Sequence, residues 1–387
     1  MKKGKKILIL VSVACILLGA AMVTGAFLSL TQDAAGQLAA LEFVENTHTV
    51  TEPFTMLNIR TINSTVELLP SPDGICRIVC DDSEKLYHQF SITESVQGTQ
   101  LNINQRDEWA WYEMLDSLYR EDGITLQVYL PESEYELVHV YSVSGDIKIA
   151  PDFCFNTVNT CTTSGSTELT DLSAIHLMVH STSGDLILRS IEAEEDVYLE
   201  CISGTMQVEN LKAVNITTHS SSGDAALESI SSAYLLSRSV SGQIQVCDGN
   251  ISGTSSFETT SGDVEIINSD CGEQAVETTS GTITLENVRG ISLNGRTSSG
   301  AISVRKTRYS GNALFHTVSG DILFTGMDAN NLELLTSSGA VSGSLLTPKN
   351  FIVETTSGHT DVPPSDVSAG TCHIHTVSGN ISITVAS

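Results

Sequence analysis

The sequence predicts an all-β fold, a single-stranded parallel β-solenoid (β-helix) of about 13 coils of 19–20 residues behind one N-terminal transmembrane helix. Three observations predict it: Ser-Gly pairs recur at a near-constant step, apolar and polar residues alternate on both sides of each pair, and aromatics make up only 5% of the chain. A core that large with so few rings must be built from small and β-branched residues.

The glycines of the pairs are Gly145, Gly165, Gly184, Gly204, Gly223, Gly242, Gly262, Gly281, Gly300, Gly320, Gly339, Gly358 and Gly379. The steps are 19 or 20 residues, with a single 21 at the end. A fixed period in this range marks stacked supersecondary units, each contacting mainly its neighbours.

Two and four residues after each glycine the side chains are mostly apolar, as in Ile147 and Ile149, Leu186 and Leu188, or Ile302 and Val304. The residues between them are mostly polar, which is the alternation of a strand with one buried face. Seven and five residues before the glycine a second strand points inward, as in Val138 and Val140, Val197 and Leu199, or Phe351 and Val353. Seven after it comes a third apolar corner: Leu172, Ile191, Leu211, Ile230, Val288, Met327, Leu346. Stacked in parallel at ~4.8 Å per coil, such units make a rod about 60 Å long.

The bend glycine is expected either to take positive φ or to let backbones approach closely. Three residues before it stands Ser or Thr in every coil except that of Cys201, so small hydroxyls stack at one corner and can bond neighbouring turn backbones. The residue after the glycine is Asp at Asp146, Asp185, Asp224, Asp263 and Asp321, never in two successive coils. Carboxylates one coil apart would repel by roughly 1–3 kcal/mol, so the pattern fits in-register stacking. Four before the glycine, acids mostly abut a base or a histidine, as in His180, Glu200, His219, Arg238 and Glu258.

Ahead of the repeats (136–387), residues 51–135 read as irregular β-rich coils or a cap. A helical insertion near 107–121 carries Trp109, Trp111 and Tyr112, which would either cover an open solenoid edge or form an aromatic partner site.

The N-terminus carries a targeting signal. A basic tail (1–6) precedes 24 uncharged residues, Ile7 to Leu30, long enough as a ~36 Å helix to cross a ~30 Å hydrocarbon core. Lysines on one side only place the tail in the cytoplasm and everything beyond the 31–50 linker outside. The rival is a cleaved signal peptide ending near Thr24-Gly25-Ala26. Cys15 sits within an apolar run that continues past it, which argues against lipidation.

All 46 Asp and Glu follow residue 30, and setting aside Lys2, Lys3, Lys5 and Lys6 takes the net charge from −27 to −31. A surface so anionic excludes nucleic-acid binding, which needs basic patches. Eight cysteines follow residue 30 with no CxxC or Cys/His metal spacing, and they read as small semi-buried thiols.

The phrase ITLQVYLPESEYELVHVYSVSGDIKI, followed by TTSGDVEI, TTSGTITL and HTVSGDIL, resembles the bacterial "putative adhesin" family of β-strand-repeat envelope proteins. The resemblance covers roughly residues 50–387. It implies a β-solenoid behind a single N-terminal transmembrane helix, a domain of unknown function, and no catalytic residues.

Candidate chemistry is sparse. His180, Glu200 and His219 share one column on three successive coils, but no fourth ligand is visible, and no metal or cofactor is expected. Alternate Asps could reach glycosidase-like separations, yet the repeat already accounts for them. The expectation is a non-enzymatic, membrane-anchored surface adhesin or envelope scaffold whose partner is a surface protein or glycan. The alternatives are an anchored envelope-stress sensor or regulator docking a membrane partner through residues 105–122, and a glycan-active β-helix enzyme.

Overall fold

The computed structural model describes residues 43–83, 90–94, 99–105 and 125–386. The expected basic tail, the membrane anchor at 7–30, most of the linker and the helical insertion lie outside the described residues. Among the described residues no helix is long and apolar enough to cross a membrane. The chain divides into two compact units, Met1–Asn46 with Asp81–Gln89, and Thr47–Cys80 with Phe90–Ser387. The described parts of the first, 43–46 and 81–83, are strand.

The second unit is an all-β parallel solenoid of about twelve turns, since thirteen stacked glycine bends enclose twelve steps. The inward columns stand in register, as the alternation predicts. Val138, Val158, Leu177, Val197, Ile216 and Leu235 pair one above another before the bend. After it, Ile147, Thr167, Leu186, Met206, Ala225, Ile244 and Val264 do the same. Most of these residues are fully buried. Burial of such side chains contributes roughly 1.5–3 kcal/mol each, so a core poor in rings is still well driven. The third column is buried too, except that a register shift between Thr325 and Met327 seats Leu345 in place of Leu346. Near the C-terminus Phe351 and Val353 are only partly buried.

Of the two roles expected for the bend glycine, close approach is the one the structure has. None of the thirteen bend glycines has positive φ. A Cβ on any of them would instead sit far closer than 3.0 Å to a carbonyl oxygen stacked beneath it, Gly242 O under Gly262 for instance. Glycine recurs because glycine stacks on glycine, and close approach alone is the reason. Positive φ falls six residues later, at Asp171, Ser190, Asn210, Ser229, Asp248, Asn268, Asn287, Lys306 and Gly326. This second corner turns the chain just ahead of the third apolar column. Asn and Asp dominate it because their short polar side chains tolerate the left-handed region.

The 19- and 20-residue steps have a structural meaning. Between Gly184 and Gly204, Gly242 and Gly262, and Gly300 and Gly320 the extra residue is absorbed as a bulge on the third side.

The coils do not all stack in chain order. The strand Gln100–Gln105 lies on the far side of Met56–Thr61 from Tyr135–Ser142, and Thr125–Leu130 likewise lies on the far side of Thr65–Pro70 from Ile147–Ile149. The first coil is thus sandwiched between two later ones. Outside it, Phe90–Glu94 and Cys76–Ser83 pair antiparallel with these outer strands. The same device closes the other end. Thr371–Thr376 and Ile381–Val385 insert between the coil of Gly339 and the coil of Gly358, so Gly379 stacks on Gly339 and Gly358 on Gly379. The outermost strand, Asn350–Thr355, is met by the next loop. Ser365 Oγ accepts from Phe351 N at 3.1 Å, and Asp366 N donates to Lys349 O at 3.0 Å. Each parallel edge is thereby covered by the chain's own folding-back, which limits edge-to-edge association.

Candidate functional site

The repeat turns outward-facing residues into columns, and these columns are the candidate surface. The Ser/Thr column is structural. Thr278 Oγ1 accepts from Gly281 N at 3.0 Å and donates to Gly262 O at 3.2 Å, and Thr297, Thr317, Thr336 and Thr376 repeat both bonds. Each of these five hydroxyls ties its own bend to the bend below, whereas Ser181 and Ser220 donate to the carbonyl of their own bend glycine. Cys201 keeps the second bond through its thiol, 3.3 Å from Gly184 O.

The Asp column also has a bonding role beyond charge spacing. Asp146, Asp185, Asp224, Asp263 and Asp321 each accept, through Oδ1, the backbone N–H of the matching residue one coil on, at 2.7–2.9 Å. Asn380 does the same for His359 N at 2.9 Å.

Four residues before the glycine, the column pairs as its charges predict. His180 Nδ1 lies 3.1 Å from Glu200 Oε2, which also accepts from Tyr198 OH at 3.2 Å. Arg238 engages Glu258 with Nε and Nη2, at 2.9 and 3.3 Å. His219 sits in register between Glu200 and Arg238. The three-coil ladder of His180, Glu200 and His219 is thus a run of neighbouring pairs. A second ladder joins Arg189 to Glu168 and Glu209, at 3.0 and 3.7 Å on either side. These exposed pairs contribute at most ~1 kcal/mol each, so they shape the surface more than they hold it.

One cluster escaped the sequence. At the bulge after Ala174, His176 stands between Glu195 and Asp196, with Nε2 and Nδ1 each 3.5 Å from a carboxylate oxygen. Their ligand atoms all lie within 4.8 Å of one another, so they could hold a cation. Glu195 and Asp196 are exposed and His176 is half-buried, and an open charge cluster needs no ion. The only advance signal was the 20-residue step around the EAEED run, whose bulge brings both carboxylates to one ring.

The buried thiols do not resemble nucleophiles. Burial pushes Cys271 up to about 11 and Cys372 up to about 12, away from the thiolate that reactivity requires. Burial likewise lifts the Tyr309 phenol well above its usual range, and its hydroxyl donates to Gln274 Oε1 at 2.6 Å inside the core. The histidines His176, His180, His373 and His375 each face a carboxylate.

On the third side an open groove of about 800 Å³ crosses several coils, floored by Ala174, Ala193, Ala213 and Ser232. Trp109, Trp111 and Tyr112 lie outside the described residues. The sequence that carries them joins Gln105 to Thr125, the ends of two strands of the outer coil. Gln105 is buried, and its Oε1 accepts from Ile62 N at 2.7 Å while its Nε2 donates to Asn63 Oδ1 at 2.7 Å. Its amide thereby braces the Thr61–Ser64 bend, where Ser64 stands beneath Gly145 in place of a glycine.

Comparison with known proteins agrees with this architecture. No curated protein matches the chain. Among solved structures, a "putative adhesin" from Bacteroides fragilis is 14% identical, with a TM-score of 0.35 over 61% of this chain and 97% of its own. A "putative lipid binding protein" from Parabacteroides distasonis is 13% identical, with a TM-score of 0.32 over 78% and 97%. A "putative adhesin" from the same organism is 11% identical, with a TM-score of 0.27 over 78% and 97%. These likenesses are too distant to carry an argument, and the fold rests on the strand register. The Toastrack DUF4097 family model matches residues 54–247 and 195–383, and the chain belongs to that family.

Proposed function

We propose that this is a membrane-anchored cell-surface protein that acts without catalysis, as an adhesin or envelope scaffold, through the repetitive outer face of its solenoid. The observation that carries the reading is the set of in-register outward columns, which set charged and polar side chains of successive coils ~4.8 Å apart along the stack. A surface of that kind suits an extended or repetitive surface protein or glycan. Lysines ahead of Ile7–Leu30, and none just after, support an anchor with the repeats outside the membrane.

A second reading is favoured by one observation. The sequence bearing Trp109 and Trp111 joins two strands of the outer N-terminal coil, where an anchored sensor or regulator would dock a membrane partner.

Two measurements on the full chain test the first reading. Protease added to spheroplasts should trim the repeats and leave a membrane-bound stub, whereas full protection of the repeats would end the surface assignment. Coils are then removed one at a time between Gly165 and Gly358. Deleting Ser261–Thr279, for example, joins Thr260 to Ser280 and keeps every column in register. Adherence of displaying cells to a panel of wall polymers and matrix proteins should fall gradually with the length removed. Complete loss for one deletion alone would overturn the scaffold reading in favour of a single site, and adherence that survives every deletion would favour the 105–125 insertion.

A further inference from the structure

The chain carries a formal charge of −27, yet residues 289–320 hold five cations (Arg289, Arg296, Arg305, Lys306 and Arg308) and not one Asp or Glu. Within this band Arg289 and Arg308 are register partners on adjacent coils, both exposed. Like charges placed directly opposite across a ladder destabilise it. Arg77, Arg189, Arg238 and, within the band itself, Arg305 each have a carboxylate within 4.0 Å, while Arg60 lies over the Tyr141 ring and Arg296 donates to Asn294. Among the described residues neither Arg289 nor Arg308 has such a carboxylate.

Two acids flank the pair in the same column, Asp270 beside Arg289 and Asp328 beside Arg308, and neither comes within 4.0 Å of a guanidinium nitrogen. Asp328 is the register partner of Arg308 on the next coil. Its Oδ1 already accepts from Lys349 Nζ at 2.8 Å and from Thr347 Oγ1 at 2.9 Å. Lys349 is buried and is fixed by a second bond to Ala329 O at 2.6 Å. A buried, hydrogen-bonded pair of this kind is not readily broken, so Asp328 stays committed and Arg308 stays available. The two arginines border an open cleft of about 480 Å³, whose floor includes Gly290 and Ala329, with Ser310 and Asn330 beside them and the paired Asp328 and Lys349 on its wall. Gly290 faces the Tyr309 ring, where a Cβ would clash, so the cleft is kept open at its base.

We propose that this cleft is an oxyanion site, in which a sulfate, phosphate or carboxylate group bridges Arg289 and Arg308. Two guanidinium forks one coil apart, ~4.8 Å, can converge on one such group and offer it paired N–H donors. The bound anion relieves the repulsion that the bare pair carries, and Ser310 and Asn330 supply further polar groups at the rim. The site is open on the outer surface, so it accepts either a free ion or a group projecting from a larger molecule.

The test uses the full chain in detergent micelles, titrated calorimetrically at constant ionic strength with inorganic phosphate, inorganic sulfate and linear polyphosphate. Saturable binding of phosphate or sulfate is expected. Arg289→Gln with Arg308→Gln should weaken it about tenfold or more, while Arg238→Gln, from a paired site, should leave it unchanged. Arg308→Lys, which keeps the charge and loses the fork, should weaken it several-fold and serves if the double variant folds poorly. The thermal midpoint supplies a readout that a merely structural pair would not give. Without ligand the double variant should melt no lower than the parent, and phosphate should raise the parent's midpoint only. Tighter binding of polyphosphate than of phosphate would identify a polymer-borne group, and equal binding a free ion. Absence of saturable binding to any of the three, or an equal loss in Arg238→Gln, would overturn the proposal.

Discussion

At Gly262 and again at Asn268 the same coil changes direction, and the two turns rest on different physics. At Gly262 the backbone has ordinary φ, and the constraint is space, because the carbonyl of Gly242 occupies the place where a side chain would begin. At Asn268 the space is open to solvent and the constraint is the dihedral itself, φ 51°. The first corner therefore admits one residue type in all thirteen repeat coils. The second admits Asn, Asp, Ser, Gly and even Lys306, at φ 49°. A crowding constraint comes from the neighbouring coil and forbids any Cβ, whereas a torsional constraint is local and only ranks the residues.

The sharpest way to break this comparison is Gly262→Ala. If crowding rules the bend, even a methyl group must displace stacked backbone, and stability should fall by about 3 kcal/mol or more. Thermal and urea unfolding followed by circular dichroism would show it. An unchanged midpoint would mean that the stack breathes enough to take a Cβ.

A smaller loss is expected from Thr278→Val, which keeps the shape and removes the hydroxyl. It strands the Gly281 N–H and the Gly262 carbonyl at a buried corner, costing about 1–3 kcal/mol. Thr278→Cys should lose less, because Cys201 already shows a thiol donating at the same position. Equal losses in the two variants would show that methyl packing, and not the bonds, fixes this column.

The smallest effect should have the opposite sign. Lys306→Gly relieves left-handed strain on a branchless but full side chain, at some cost in unfolded-chain freedom, for a net gain of up to ~1 kcal/mol. A rise in thermal midpoint would confirm that glycine is helpful at the second corner for torsion and required at the first for room. A fall as large as that of Thr278→Val would show that the Lys306 side chain holds the corner.

Some of this was legible in advance because it is written once per coil. The inward alternation around Ile147 and Val138, the hydroxyl before each glycine and the avoidance of successive Asps all follow from one coil meeting a copy of itself. The candidate surface was legible to the same extent, and the pairing of His180 with Glu200 and of Arg238 with Glu258 came from adjacency in a column. His176 with Glu195 and Asp196 was not legible, because a bulge shifts the register there by one residue and no column contains all three. Nor was the freedom of Arg308, which depends on Lys349 holding Asp328 from a different part of the coil.

The sequence by itself determined the unit: its period, its two inward strands, its bend and its register. Tertiary structure alone decided why the bend is glycine and in which order the coils stack. Both depend on what lies above and below a coil, which a periodic pattern leaves open. The coils of Gly358 and Gly379 carry the same bend, so the glycine column alone would let either stack on Gly339. The choice between those orders falls to the ends, where the arrangement that covers an exposed parallel edge is the lower in free energy.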